Sequence, residues 1–247
     1  MNSNKIQFGL IGKSLGHSFS KTFFADKFKQ EHILAEYANF ELSTIQEFPL
    51  LLQSNPELKG LNVTIPYKTE IIPYLDELDD VARTVGAVNT ISINNGRLKG
   101  FNTDVYGFQQ SIKPFLRNIH ERALILGTGG ASKAVQYVLE GLGISVSYLS
   151  RNPQGENQFH YDQANEHMMK AFKLIINTTP LGTFPNIEEM PPIPVQLLTE
   201  DHLVVDLIYN PEKTKLLELA AQNGADTLNG YSMLQHQALK AWEIWNA

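Results

Sequence analysis

The chain has 247 residues, 43% of them hydrophobic and 19% charged, which is enough apolar material for one large core or two small ones and excludes a disordered chain. Its 20 basic and 26 acidic residues leave a net charge of −6, which argues against nucleic acid or an anionic membrane as a partner. With no cysteine, there is no disulfide, thiolate metal site or cysteine nucleophile.

No run approaches the roughly 18 apolar residues of a transmembrane helix. The opening "MNSNKIQFGLIGKS" reads as a first strand rather than a signal peptide, so a cytoplasmic protein is the default expectation. "IQFGLIG" is a short apolar strand. "SKTFFADKFKQEHIL" places Phe24, Phe28 and His32 at four-residue steps, the spacing of a helix face, with Ser20 able to cap its start. "AEYANFEL" alternates as a strand, "TIQEFPLLLQSN" is a helix broken by proline, and "LKGLNVTIP" is the next strand. "AVNTISINNGRLKGFNTD" carries "NNG" between two strand-like runs, a hairpin signal.

From residue 122 the pattern restarts. "RALILG" is a buried strand, "ASKAVQYVLEGLG" a helix and "SVSYLSR" another strand. "LIINTTP" and "HLVVDLIY" are continuous apolar runs of the kind found in central parallel strands. "FPNIEEMPPIP" is a loop, "KTKLLELAAQNG" an amphipathic helix closed by glycine, and "SMLQHQALKAWEIW" the final helix. The expected fold class is α/β with two domains. The first covers residues 1–105, with the boundary near residues 105–120. A Rossmann-like dinucleotide-binding domain covers 106–231.

Two stretches carry candidate chemistry. In "LNVTIPYKTE", Asn62 and Thr64 share one face of a strand that ends at Lys68. Lys68 is either a catalytic amine with polar neighbours or a surface lysine after an ordinary strand. In "LILGTGGASKA", Gly127, Gly129 and Gly130 lie between a strand and a helix, where backbone N–H groups can approach a pyrophosphate. The strict pattern wants Gly or Ala at position 132, which is Ser132. Some twenty residues on, an acidic residue would hold the ribose hydroxyls of NAD. Ser150, Arg151 and Asn152 stand there instead, and they suit a 2′-phosphate, hence NADP.

Eight stretches in order, "GKSLGHSFSK", "NVTIPYK", "GAVNT", "GFNTD", "GTGGASKA", "NTTPLG", "DLIYNPEKT" and "NGYSMLQHQAL", resemble the motifs of the shikimate dehydrogenase family, from Gly12 to about Trp245. The resemblance implies a two-domain enzyme that reversibly reduces 3-dehydroshikimate to shikimate with NADPH, on the route to aromatic amino acids. It makes the first domain the substrate domain, with the last helix, 232–247, returning to it. It makes Lys68 the catalytic lysine and Asp104 its acidic partner. It makes Ser18 and Ser20 ligands of the substrate carboxylate, and Asn62, Thr64, Asn89 and Gln237 ligands of the rest of the substrate. It places Gly127, Gly129, Gly130 and Ala131 at the pyrophosphate, Ser150, Arg151 and Asn152 at the adenosine phosphate, and Thr178 and Met233 along the cofactor pocket.

The chain departs from the family pattern in a few places. Lys21, Phe24 and Ala25 replace the usual Pro and His-Asn after "HSFS". "GTGGA" replaces "GAGGA", and the stretch from Arg151 to Asn177 is short, which predicts a reduced crossover. Plainer readings stand beside these. Asp104 can cap the helix "DVYGFQQSI", Ser18 and Ser20 can be helix caps, His17 is structural, Gln237 can be a solvated helix position, and Trp242 and Trp245 are packing residues. The expected ligands are NADP and a small molecule, with no metal, and the expected assembly is a monomer or homodimer. A quinate-accepting or NAD-using paralogue and a silent binding relative are the alternatives.

Overall fold

The computed structural model describes residues 5–16 and 18–247. The chain divides into two compact units, Met1–Thr103 with Gln237–Ala247, and Asp104–His236.

The first unit runs β1 (Ile6–Gly12), α1 (Phe19–Gln30), β2 (Ala35–Glu41), α2 (Phe48–Ser54), β3 (Leu58–Val63), β4 (Glu77–Leu78), α3 (Asp80–Val85), β5 (Thr90–Asn94) and β6 (Arg97–Phe101). Its mixed sheet has the order β2-β1-β3-β5-β6-β4. β1 pairs parallel with β2 and β3, and the hairpin β5–β6 then joins antiparallel to β3. The expected "NNG" turn is present. Asn94 faces Arg97, and Asn95 and Gly96 between them have φ of 50° and 77°, the left-handed pair that matches strand twist.

Helix α1 buries Phe24 and Phe28 as its spacing predicts, but His32 does not continue the face. It lies beyond the helix, exposed, at φ 54°. The cap also differs from expectation. Ser18 is the N-cap and accepts from the Lys21 N–H at 3.2 Å, while Ser20 lies inside the first turn. The reason is register: the residue three before Lys21 can take its orphan N–H, and Ser20 is too close in sequence to do so.

The second unit begins within α4 (Thr103–Ile112) and continues β7 (Arg122–Leu126), α5 (Gly130–Gly141), β8 (Ser145–Ser150), β9 (Gln158–His160), α6 (Glu166–Ala171), β10 (Leu174–Asn177), β11 (Leu203–Asp206), α7 (Lys215–Gln222), β12 (Asp226–Leu228) and α8 (Tyr231–Trp245). All its strands pair parallel, in the order β12-β11-β10-β7-β8-β9. Counted from β7 this is 3-2-1-4-5-6, the doubly wound order whose chain reversal between β7 and β10 opens a ligand crevice at the strand C-termini. The shortened crossover lies between β8 and β9. Residues 151–157 join them with no helix, and β9 is a three-residue edge strand.

The end of α8 belongs to the first unit. Phe8, Phe24, Phe28 and Tyr37 gather there with Ala238, Trp242 and Trp245. Phe8 stacks on Trp245 at 4.8 Å and meets Trp242 edge-on at 5.5 Å, while the Trp245 indole donates to the Ile91 carbonyl at 3.0 Å. Gly60 has no side chain because Trp245 occupies the space: a Cβ would fall on the indole. The two tryptophans are packing residues, as expected.

Candidate active site

In the first unit the polar residues of four separate motifs converge. Asn62 is buried near the end of β3. Its Oδ1 accepts from the Tyr37 hydroxyl at 2.7 Å, and its Nδ2 donates to the Thr90 hydroxyl at 3.2 Å and the Asn89 carbonyl at 3.3 Å. The Asn89 side chain brackets Thr103. Oδ1 accepts from the Thr103 N–H at 2.7 Å and Nδ2 donates to the Thr103 hydroxyl at 3.0 Å. The hydroxyls of Thr90 and Thr103 lie 3.2 Å apart, and Thr103 Oγ1 is 3.5 Å from Gln237 Oε1. Asn62, Asn89, Thr90, Thr103 and Gln237 are all buried, so this network forms in a low-dielectric interior where its geometry is stiff. Gln237 is therefore not a solvated helix position. Burial also pushes the Tyr37 phenol above its usual pKa, a shift that the Ser20 side chain partly opposes.

Lys68 follows a tight turn. The Tyr67 N–H donates to the Thr64 carbonyl at 2.9 Å, across a cis Ile65–Pro66 bond. Tyr67 is buried and its hydroxyl donates to the Leu42 carbonyl at 2.6 Å. The Lys68 carbonyl accepts from the Val88 N–H at 2.7 Å. The backbone on either side of the Lys68 amine stem is thus tied to the core, while the residue itself is half-buried. Thr64, also half-buried, leads out of β3 with its N–H on the Ile11 carbonyl at 2.9 Å.

Asp104 is not the cap of its helix. α4 begins at Thr103, so Asp104 lies in the first turn and is buried. A carboxylate there is favoured by the partial positive charge of the helix start. Ser18 and Ser20 lie at the entry to α1, both half-buried. His17 lies outside the described residues.

In the second unit the glycine turn follows β7 at the reversal point. Gly127 has φ +92°, and a Cβ there would lie 2.7 Å from the Thr179 methyl. A Cβ on Gly129 or Gly130 would meet nothing within 4 Å. No side chain caps the start of α5. An open backbone at the uncapped N-terminus of a 12-residue helix fits a pyrophosphate, because its first N–H groups need acceptors and its dipole favours negative charge. Ala131 lies in that first turn. Ser132 is accommodated where a smaller residue was expected, with its hydroxyl turned back to the Gly129 carbonyl at 2.6 Å. Across the crevice Thr178 donates to the Leu126 carbonyl at 2.8 Å.

At the end of β8, Ser150 is buried and accepts from the Asn152 N–H at 3.2 Å, while Arg151 and Asn152 are exposed. The Arg151 charge is close enough to draw down the pKa of Tyr161, although burial raises it overall. Met233 is buried in α8, one turn before Gln237. These residues could hold a phosphorylated dinucleotide.

Thr90, Thr103 and Tyr37 were missed from the sequence. Thr103 sits inside "GFNTD", next to the aspartate that carries the acidic group of the motif. Tyr37 gave no signal beyond strand alternation.

The chain resembles known proteins in sequence and in fold. Residues 10–91 match the model of the shikimate dehydrogenase substrate binding domain. The chain is 36% identical over 255 residues to a shikimate dehydrogenase (NADP(+)) of Methanosphaera stadtmanae, covering 96% of this chain and 90% of that one. It superposes on the shikimate dehydrogenase of Aquifex aeolicus with a TM-score of 0.89 at 34% identity, covering 100% of this chain and 94% of that one. A Thermus thermophilus shikimate 5-dehydrogenase in complex with NADP(H) and shikimate superposes with a TM-score of 0.85 at 30% identity, over 97% and 93% of the two chains. Identity at this level along nearly the full length of both sequence and fold places the chain in the shikimate dehydrogenase family.

Proposed function

We propose that the protein interconverts 3-dehydroshikimate and shikimate with NADPH and NADP as the redox pair, in the route to aromatic amino acids. One observation carries the reading. The polar residues of motifs as distant as Asn62, Asn89, Thr103 and Gln237 share a single buried network, in the same unit as a lysine whose backbone is anchored on both sides.

Bound NADPH supplies the hydride. The chain's own residues do the rest. Ser18 and Ser20 donate to the substrate carboxylate. Thr64, Asn89 and Gln237 hold the ring hydroxyls, with Asn62 contributing the acceptor capacity its Tyr37 bond leaves over. Lys68 donates the proton that the ketone oxygen gains, and Asp104 serves as the acidic member of the proton-transfer pair. Gly127, Gly129, Gly130 and Ala131 receive the pyrophosphate, Ser150, Arg151 and Asn152 the 2′-phosphate, and Thr178 and Met233 line the nicotinamide side. On this reading residues 1–105 with 232–247 bind substrate, and 106–231 bind NADP. The protein acts in the cytoplasm as a monomer or homodimer.

The test is an absorbance assay of purified protein with shikimate or quinate, each with NADP or NAD. NADPH formation from shikimate, with NAD serving poorly, supports the reading. Turnover only with quinate or only with NAD would move the protein to the paralogue reading, and no turnover with any pair would make it a silent relative.

A further inference from the structure

Strand β2 lies at the edge of the first sheet, and of its residues only Tyr37 has entered the site described above. Strand periodicity puts Tyr37, Asn39 and Glu41 on one face. Each makes a side-chain hydrogen bond to a site element. The Tyr37 hydroxyl donates to Asn62 Oδ1. Asn39 Nδ2 donates to the Leu15 carbonyl at 3.0 Å, and Glu41 Oε1 accepts from the Leu15 N–H at 2.6 Å. Leu15 is thus held on both its N–H and its carbonyl, and its side chain is buried.

Leu15 stands three residues before Ser18 on the connection from β1 to α1. These bonds hold the middle of the connection, and the Lys13 N–H holds its start on the Ile65 carbonyl at 3.4 Å. Lys13, Ser14 and Gly16 are exposed, and a Cβ on Gly16 would meet nothing within 4 Å. A short exposed segment with a glycine has many accessible conformations, and fixing one of them carries an entropic cost. The bond to Glu41 is charge-assisted and short, the kind that resists that freedom best.

We propose that Asn39 and Glu41 are positioning residues for substrate binding: they clamp the Leu15 peptide and so fix the approach of Ser18 and Ser20 to the substrate carboxylate. The inference rests on the reading of those two serines given above. It requires an acceptor at position 41, not a negative charge close to an anionic substrate.

The experiment compares Glu41→Ala, Glu41→Gln and the double variant Asn39→Ala/Glu41→Ala with Ser18→Ala and Ser20→Ala, in steady-state assays with shikimate and NADP and by thermal unfolding. Loss of a hydrogen bond to a charged group corresponds to about tenfold in binding. Glu41→Ala should raise the KM for shikimate by about that factor, with kcat and the KM for NADP little changed, and the double variant should raise it further. Glu41→Gln, which keeps an acceptor for the Leu15 N–H, should restore most of the affinity. An unchanged shikimate KM in the double variant overturns the inference, as does a Glu41→Gln variant as impaired as Glu41→Ala. Parallel losses in kcat, in both KM values and in melting temperature overturn it too, since they would mark a general structural role. If neither serine variant changes the shikimate KM, the reading of the serines falls, and the inference falls with it.

Discussion

The backbone N–H of Val88 donates to the carbonyl of Lys68 at 2.7 Å. This bond joins the lysine's own peptide to the residue preceding Asn89, so two motifs far apart in sequence share one rigid piece of backbone. The amine at position 68 is mounted on the scaffold that also places the Asn89 side chain.

Lys68→Ala is therefore expected to lower turnover by about 10²–10⁴, the usual contribution of a positioned proton-transfer group. Shikimate and NADP should still bind, as measured by fluorescence titration. Asp104→Asn should also reduce turnover, and on the proposed reading the double variant should lose less than the product of the single losses. Near-normal turnover in Lys68→Ala would make it a surface lysine.

Arg151 is exposed at the end of β8, free of the constraints of a core residue, so its removal should leave stability intact. Arg151→Ala should raise the KM for NADP by about tenfold or more, the scale of a charge-assisted hydrogen bond, with a much smaller effect on NAD. Equal effects on both cofactors would show that the guanidinium does not read the 2′-phosphate.

Asp206 is fully buried at the end of β11 and accepts from Thr214 Oγ1 at 2.7 Å, Asn177 Nδ2 at 3.0 Å and the Ile208 N–H at 3.1 Å. Burial outweighs these donors and pushes its pKa from 3.8 up to about 6. The folded state thus binds a proton more tightly than the unfolded one. The stability this contributes is complete below pH 3.8 and is lost as pH rises through about 6. The difference corresponds to about 3 kcal/mol. Asp206→Asn can keep two acceptor bonds and donate to Thr214, so denaturant titrations should show that part of the pH dependence removed. An unchanged profile would mean that Asp206 has the same pKa in the folded and unfolded states.

Gly60→Ala should destabilise the first unit by about 1–3 kcal/mol, the ordinary cost of overpacking, because the new methyl must displace the Trp245 ring. The change is read as a lowered melting temperature and altered tryptophan fluorescence. A neutral result would mean that the end of α8 repacks freely.

Much of the second unit was legible because its signals are local. Continuous apolar runs at 123–126, 174–176 and 203–205 lie in the parallel strands, and a glycine turn between a strand and a helix needs only neighbouring residues to be seen. The hairpin at Asn95–Gly96 was legible for the same reason: its turn chemistry lies in two adjacent positions. The cap of α1 is less legible. Ser18 and Ser20 are both good caps by type, and only the hydrogen bond to Lys21 separates them.

What the sequence determined by itself, then, is the two-unit α/β order, the glycine turn, Arg151 where an acidic residue would suit NAD, and the motif set that marks Lys68 and Asp104. The tertiary structure alone decided which polar residues are joined. Tyr37 lies 25 positions from Asn62, and Thr103 lies 134 from Gln237, yet each pair is in hydrogen-bond contact. Strand pairing between β1, β2 and β3 and the return of α8 to the first unit create those contacts. Such contacts depend on the path of the whole chain, and no window of neighbouring residues encodes them.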